Sequence, residues 1–129
     1  MARLCRLFLR VGILPMGERG NIAISMGAPA MYEEPDYVWF YTHWRGPYTQ
    51  KIVANALAKR WRWDDESYLA RIIFDELTKG ENGNETGFGI SLSETDPNYP
   101  TVYVYPYCKL VKFDGQSYTF DGFIKQFAE

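Results

Sequence analysis

Residues 37–60, YVWFYTHWRGPYTQKIVANALAKR, hold a strand pattern and a helix pattern one after the other. The first eight residues contain five aromatic residues, the β-branched Val38 and Thr42 and the only histidine of the chain, which favours a strand. The Arg-Gly-Pro that follows ends this pattern, and proline suits the first turn of a helix. From Tyr48 to Arg60, apolar residues recur at helical spacing. One short stretch therefore predicts a strand and the helix that comes after it.

The next segment, WDDESYLARIIFDELTKG at residues 63–80, is the clearest helix signal in the chain. Its apolar residues form a stripe along one side, as in a helix that packs on a core. Asp64 is expected to cap the helix, because an aspartate accepts hydrogen bonds from N–H groups of the first turn. The Lys-Gly pair at residues 79–80 is expected to end it. The sequence thus predicts two consecutive helices in its middle.

Alternating residues predict strands on both sides of these helices. One is expected at residues 21–26, before the aromatic stretch, and others at 86–92 and 101–105. A hairpin with an Asp-Gly turn follows, and a short helix is expected over residues 121–128, capped by Asp121. The order ββααββββα predicts an α+β fold: a mostly antiparallel sheet with two central helices and a short C-terminal helix packed on one face.

The length of 129 residues suits one domain, which we expect to span residues 16–129. Residues 1–15, MARLCRLFLRVGILP, carry Arg3, Arg6 and Arg10 and no acidic residue. We therefore expect them to form an N-terminal extension that is not part of the domain. Two alternatives stay open: a short helix or strand that packs on the domain, and a targeting segment.

Charge and composition exclude several classes of function. The net charge is −2, and without the three arginines of the extension, 11 basic residues stand against 16 acidic ones, a net of −5. An acidic domain binds phosphate backbones poorly, so nucleic acid is not expected as a partner. No apolar run approaches the ~20 residues of a membrane span, so no membrane partner is expected. Only two cysteines are present, which fits a reducing compartment and predicts a cytoplasmic protein.

Strand alternation predicts two different faces of the sheet. The face beneath the helices is expected to carry Ile22, Ile24, Val38, Phe40, Ile90, Val102 and Val104. The opposite face is expected to carry Trp39, Tyr41, His43, Tyr103 and Tyr105, with bare positions at Gly87 and Gly89. An aromatic face without helices is a candidate surface for binding a protein partner or a second copy of the chain. Two alternatives to such a binding surface stay open. The rings could simply pack on one another and stabilise the sheet, or they could stack on a small ligand or nucleobase.

His43 is the most evident candidate for chemistry, because an imidazole titrates near neutral pH. No second histidine is present to share a metal, and no serine or cysteine pattern marks a nucleophile beside it. The simpler interpretation is a hydrogen-bonded structural residue, and neither a cofactor nor a metal site is expected. The enzymatic alternative is a small enzyme that uses His43 with Arg19 or Arg71 on an anionic substrate.

Two arginines complete the candidate binding site. Arg19 lies in GERGN, where its guanidinium and nearby backbone N–H groups suit an anion, although Glu85 or Asp64 could hold it in a structural ion pair. Arg45 directly follows the aromatic stretch. The predicted site therefore consists of Trp39, Tyr41, His43, Tyr103, Tyr105, Arg19 and Arg45, and no residue is assigned a catalytic role.

A second alternative concerns KRWRW at residues 59–63. Trp61, Arg62 and Trp63 have the composition of a nucleic-acid contact through stacking and charge. Three acidic residues follow at once and cancel the positive field. Cations that complement the end of the preceding helix explain the stretch more simply.

Four blocks of the chain, MGERGNIAI, YTHWRG, WDDESYLARIIFDEL and ETGFGIS, together resemble a family of small proteins from bacteria, archaea and phages. That family shows Met-Gly-x-Arg-Gly-x-Ile, Tyr-Thr-His-Trp, Trp-Asp-Asp-x-x-Tyr-Leu-Ala-Arg-Ile-Ile-Phe and Thr-Gly-Phe-Gly-Ile-Ser. The resemblance covers residues 16–106, implies a domain that starts at Met16, and carries over no catalytic residue. The family more often has Gly-Arg-Gly-Arg where residues 59–62 of this chain are Lys-Arg-Trp-Arg, a bulkier stretch.

Patterns and resemblance together predict a non-enzymatic binding or accessory module of phage or mobile-element type. Its aromatic sheet face is expected to contact a protein partner or a second copy of the chain. The enzymatic alternative with His43 and the nucleic-acid alternative with Trp61 stay open at this stage.

Overall fold

The computed structural model describes residues 17–129. Its elements are β1 Gly20–Ser25, β2 Tyr37–Thr42, α1 Thr49–Ala58, α2 Glu66–Leu77, β3 Phe88–Ser91, β4 Val102–Tyr105, β5 Leu110–Phe113, β6 Gln116–Thr119 and α3 Phe120–Phe127. A short 3-10 helix, Gly46–Tyr48, precedes α1 and contains the proline expected in a first turn. The order confirms the predicted α+β succession. The predicted extension, residues 1–15, lies outside the described residues.

The six described strands form one sheet in the order β3-β2-β1-β4-β5-β6. Neighbouring strands run antiparallel, except that β1 and β4 run parallel at the centre of the sheet. The mostly antiparallel sheet is therefore confirmed. The topology leaves β3 and β6 as the two edge strands of the described sheet.

The helices pack on the face that carries the aliphatic side chains. Ile22 and Ile24 of β1 align with Val102 and Val104 of β4, and all four are fully buried. One core joins these strands to the three helices through Phe40, Val111, Leu57, Leu69, Ile73, Phe120 and Phe123. Burial of each large apolar side chain contributes roughly 1.5–3 kcal/mol relative to its exposed state. The predicted placement of the helices on one face of the sheet is confirmed.

Ile90 departs from the predicted burial. It aligns with Phe40 and therefore points to the helix side of the sheet, yet its side chain is 61% exposed. The helices lie mainly over β1, β4, β5 and β6, and β3 extends beyond their cover. The expectation that Ile90 lies beneath the helices was wrong, because a strand face is buried only where another layer lies above it.

Two helices begin at caps other than those expected. Asp65, not Asp64, caps α2 and accepts a hydrogen bond from a backbone N–H of its first turn. Thr119, not Asp121, caps α3 in the same manner. Asp64 and Asp121 form ion pairs with basic residues elsewhere in the fold instead. Tertiary contacts thus decide between neighbouring polar residues that are equally suited to a cap.

The hairpin of β5 and β6 has the turn that its sequence predicts. Asp114 and Gly115 have φ angles of +51° and +80°. A two-residue turn of this kind requires positive φ at both positions, which aspartate and glycine tolerate best. The antiparallel pairing of β1 with β2, also expected from the sequence, is present as well.

Candidate functional site

The face opposite the helices carries aromatic side chains on both sides of β1. Trp39 of β2 and Tyr103 of β4 both align with Ala23 of β1. The same alternation places Tyr37, Tyr41 and Tyr105 on this side. We call these five residues, Tyr37, Trp39, Tyr41, Tyr103 and Tyr105, the aromatic face. Between them β1 presents only the small residues Asn21, Ala23 and Ser25, all fully buried.

The rings of the aromatic face lean together over β1. The ring centroid of Tyr37 lies 5.7 Å from that of Trp39, 5.8 Å from Tyr103 and 6.1 Å from Tyr105. The hydroxyls of Tyr37 and Tyr105 are 3.0 Å apart and share a hydrogen bond. Tilted and edge-on ring pairs each add about 0.5–1.5 kcal/mol to plain burial. Tyr37, which joins β2 to β4 across β1, is missing from the predicted site, although strand alternation alone places it on this face.

The aromatic face is neither core nor fully exposed surface. All five rings keep intermediate exposure, whereas the residues beneath them have none. Burial raises the pKa of Tyr41, Tyr103 and Tyr105 above the usual tyrosine value, and the hydrogen bond with Tyr37 raises that of Tyr105 further. These tyrosines are therefore neutral hydroxyl groups throughout the physiological pH range.

His43 lies just beyond the end of β2, which stops at Thr42. Its Nδ1 is 2.6 Å from the hydroxyl of Tyr41. Burial raises the pKa of Tyr41, so its phenol stays protonated at neutral pH and shares a hydrogen bond with Nδ1 of His43. The backbone of His43 also pairs with two loops: its C=O accepts from Glu18, and its N–H donates to the C=O of Gly87.

Glycines let the loops around His43 pack closely. A Cβ at Gly17 would lie 2.7 Å from His43 Nε2, and a Cβ at Gly87 would lie 2.5 Å from the ring of Trp44. Both distances are too short for real side chains, and both glycines have positive φ. Parts of three blocks that carry the family resemblance therefore meet at this end of the sheet: GERGN at 17–21, YTHWRG at 41–46 and TGFG at 86–89.

Arg19 is held by the loop between β3 and β4. Its Nε donates to the C=O of Asp96 at 2.9 Å, and its backbone N–H donates to Oδ1 of Asn98 at 3.0 Å. The guanidinium also forms an ion pair with the Asp96 carboxylate at 4.0 Å. The ion pair is thus made with Asp96 rather than with Glu85 or Asp64. Arg19 remains close enough to Tyr41 for its charge to lower that pKa against the larger effect of burial.

The same loop borders one end of the aromatic face. The side-chain amide of Asn21 donates to the C=O of Thr95 at 2.5 Å and accepts from its N–H at 3.3 Å. Thr101 donates to Glu94 within the loop at 2.9 Å. Asn21 thus fastens the loop to the central strand, and Arg19 and His43 form a polar rim at this end.

Arg45 has a structural position on the helix side. Its Nη1 donates to the carbonyls of Leu77 and Lys79 at 2.8 and 3.1 Å, and its Nη2 binds Glu81 at 2.5 Å. The guanidinium lies 5.4 Å from the ring centroid of Phe88. Arg45 therefore satisfies carbonyls at the C-terminal end of α2, which have no partner within the helix. The structure does not bring Arg45 to the aromatic face.

A cleft of about 960 Å³ opens on the helix side beside Trp44, Tyr48 and Arg45. Its charged walls are paired with one another: Arg45 binds Glu81, and Lys79 binds Glu76. Glu85 also lines the cleft, so its walls carry two basic and three acidic side chains and do not suit an anionic ligand.

Arg71 lies away from His43, on the exposed side of α2. It forms an ion pair with Asp75, one turn along the helix, at 2.6 Å. Both side chains are well exposed, and such a pair contributes only about 0.3–0.5 kcal/mol.

The KRWRW stretch packs largely on its own neighbours. Trp63 meets Phe120 edge-on with ring centroids 5.2 Å apart, and the Arg62 guanidinium lies 4.6 Å from the ring centroid of Tyr68. Trp61 remains 60% exposed. Of the three residues proposed for nucleic-acid contact, Trp63 is partly buried, whereas Trp61 and Arg62 are exposed.

The described residues offer no site for a metal. Within residues 17–129, no group of three His, Cys, Asp or Glu side chains is placed to hold an ion. In the same range, no helix has both the length and the apolar character needed to cross a membrane. Cys108, which follows β4, is exposed and not in a disulfide.

No protein-family model, no curated protein and no solved structure matches this chain. The functional argument therefore rests on the geometry of the aromatic face and its rim.

Proposed function

We propose that the protein is a binding module without catalytic activity, and that its aromatic face contacts a protein partner. The layout of this face carries the proposal. Five half-buried rings lie over a floor of fully buried small residues, and the described helices all pack on the opposite side. The family resemblance suggests an accessory role in a phage or mobile element.

The rings are well suited to binding because their positions are already fixed. Tyrosine and tryptophan offer large contact areas at the cost of only two side-chain torsions, and they are enriched in protein interfaces. Here neighbouring rings and the hydrogen bond between Tyr37 and Tyr105 restrict those torsions further. A partner would therefore lose little of its binding free energy to ordering this surface.

The rim supplies the polar part of such an interface. Arg19 and His43 lie beside Tyr41 at one end, and the tyrosine hydroxyls provide donors and acceptors between the rings. An apolar centre with a polar border is the usual arrangement of a protein interface. His43 is in this view a structural and binding residue whose imidazole is oriented by Tyr41.

Site-specific photo-crosslinking in the cells that naturally contain the protein tests the proposal. A benzophenone side chain replaces Tyr103 on the aromatic face, and in a matched control it replaces Tyr68, an exposed tyrosine of α2. We expect one defined protein adduct from position 103 and none from position 68. The same adducts from both positions, or none from position 103, would contradict the proposal.

The hydrogen bond between Tyr41 and His43 favours a second candidate, a small enzyme in which His43 acts as general base and Arg19 binds an anionic substrate. Arg71 is a weaker candidate for that second role, because it is paired on the exposed side of α2. The purified chain and His43→Gln are compared on phosphoesters and nucleotides. Turnover that disappears in His43→Gln would replace the binding module by an enzyme.

A further inference from the structure

Strand β3, at one edge of the sheet, has backbone groups without a partner strand. It pairs only with β2, and its other side is open in the described part of the sheet. The C=O of Gly87, just before β3, accepts from the N–H of His43, just after β2. Since backbone groups alternate sides along an antiparallel strand, the N–H and C=O groups of Phe88 and Ile90 point away from β2. Two residues of β3 therefore present a free hydrogen-bonding edge.

The sequence of this edge lacks the usual protection against pairing. Edge strands normally carry charged residues or proline, which prevent another strand from adding to the sheet. Residues 86–93, TGFGISLS, contain neither. Ile90 is 61% exposed, and Leu92, just after the strand, is 89% exposed. The edge thus combines open backbone groups with exposed apolar side chains.

The opposite edge strand, β6, differs in this respect. It is flanked by Asp114 and Asp121, and α3 packs directly beside it. Its residues Gln116 and Ser117 are polar and exposed. β6 itself has no charged residue or proline, so the two edges differ in cover and in side chains: α3 packs beside β6, whereas β3 exposes the apolar side chain of Ile90.

We propose that two copies of the chain associate through β3, pairing antiparallel about a two-fold axis at Ile90. In this register the outward N–H and C=O of Ile90 exchange hydrogen bonds with the same groups of the second copy. Phe88 is then opposite Leu92 of the second copy, which directly follows β3, so two apolar residues meet when Leu92 extends the strand on pairing. The two six-stranded sheets become one continuous sheet.

The self-complementary pattern around Ile90 indicates that the strand pairing with the free edge of β3 comes from a second copy of the chain. Phe88 and Leu92 are two residues to either side of Ile90, so the two-fold pairing matches them without any shift of register. On the aromatic side, Gly87 and Gly89 leave the seam free of side chains that would collide. A contact of five residues per chain, 88–92, is small, so the dimer belongs to the weak, reversible class of interfaces. This inference does not depend on the proposed partner of the aromatic face.

Sedimentation of the full chain tests the dimer, from roughly 1 μM to roughly 1 mM, a range that covers weak association. We expect the monomer mass at the low end and twice that mass at the high end. Ile90→Lys places a charge at the two-fold axis and should keep the chain monomeric throughout. Gln116→Lys, at the opposite edge, is the matched control and should dimerise like the parent chain. Circular dichroism spectra of both variants check that they are folded.

A parent chain that stays monomeric at the highest concentration would overturn the inference. So would a dimer that persists in folded Ile90→Lys, since that dimer would use another surface. As a second variant, Ile90→Pro removes the outward N–H but no bond to β2, and it should also weaken the dimer. The sedimentation test does not use the crosslinks formed from position 103. The dimer through β3 and the partner of the aromatic face are therefore tested independently, and either can fail without the other.

Discussion

The two faces of the sheet use the same strands in opposite ways. On the helix side, aliphatic residues such as Ile22, Ile24 and Val104 interlock with three helices and are fully buried. On the aromatic side, rings from β2 and β4 contact one another above the small residues of β1 and keep intermediate exposure. β1 is buried on both sides all the same. Within residues 17–129 no helix lies on the aromatic side of β1, and large rings of the neighbouring strands lie over it there instead.

The largest expected difference between the faces concerns two single rings. Phe40 is 3% exposed and packs on Phe74 at 5.0 Å, so Phe40→Ala should lower the free energy of unfolding by about 3–5 kcal/mol. Tyr103→Ala removes a half-buried ring and should cost about 1–2 kcal/mol. Denaturant unfolding at low micromolar concentration measures both in the monomer. Equal losses would show that the aromatic face is ordinary core and would remove the basis of the proposed function.

The next prediction concerns the end of the sheet where the glycine-containing loops meet. Gly87 has a φ of +105°, and a Cβ there would overlap the Trp44 ring. Gly87→Ala should therefore lower stability by about 1–3 kcal/mol through strain and overpacking. Gly89→Ala is the matched control two residues on, with open space around it, and should change stability by less than about 0.5 kcal/mol. Similar thermal unfolding of the two variants would mean that the packing around Trp44 adjusts freely.

Local patterns were sufficient to predict most of the elements and the two faces. Alternation in β2 and β4 depends only on the extended backbone, so Trp39, Tyr41, Tyr103 and Tyr105 could be assigned to one side from the sequence. Helical spacing identified α1 and α2 for the same reason. These features are properties of a few consecutive residues and need no knowledge of distant contacts.

What could not be predicted depends on contacts between distant segments. The bond of Arg45 to the end of α2 and the pairing of Arg19 with Asp96 arise only after the chain folds back. The exposure of Ile90 depends on how far the helices extend over the sheet. Asp64 and Asp65 are equivalent from the sequence, and an ion pair with Lys109 distinguishes them. The contacts of His43 with the loops at Gly17 and Gly87 likewise could not be predicted, because they depend on how β1, β2 and β3 align.

A smaller prediction separates these two aspartates and tests how far the helix-covered face depends on α2. Asp65→Ala removes the hydrogen bond that caps α2 and should lower stability by about 1 kcal/mol. Asp64→Ala removes only an exposed ion pair with Lys109 and should cost less than about 0.5 kcal/mol. Urea denaturation of both variants gives the comparison. A larger loss of stability for Asp64→Ala than for Asp65→Ala would show that Asp65 is not the residue that caps α2.

The smallest expected effect is a pH dependence that Tyr105 of the aromatic face should contribute and that the aliphatic residues of the helix-covered face should not. Burial and the hydrogen bond with Tyr37 raise the pKa of Tyr105 in the folded chain. Below about pH 9 the tyrosine is protonated in both states, so its contribution to stability is fully present. As the pH rises further, the unfolded chain loses the Tyr105 proton first, and the free energy of unfolding declines.

Tyr105→Phe should therefore make the decline in stability between about pH 9 and pH 11 shallower than in the parent chain, because a group with a raised pKa is gone. Near pH 7 the same variant should lose only about 0.5–1.5 kcal/mol, the value of its hydrogen bond with Tyr37. Ile24→Val on the helix-covered face is the control: it carries no titrating group, so its loss should be the same at every pH. Denaturant unfolding across this pH range measures all three chains. Parallel declines for the parent chain and Tyr105→Phe would mean that the Tyr105 hydroxyl is as accessible to water in the folded chain as in the unfolded one, and the two faces would then differ in composition but not in burial.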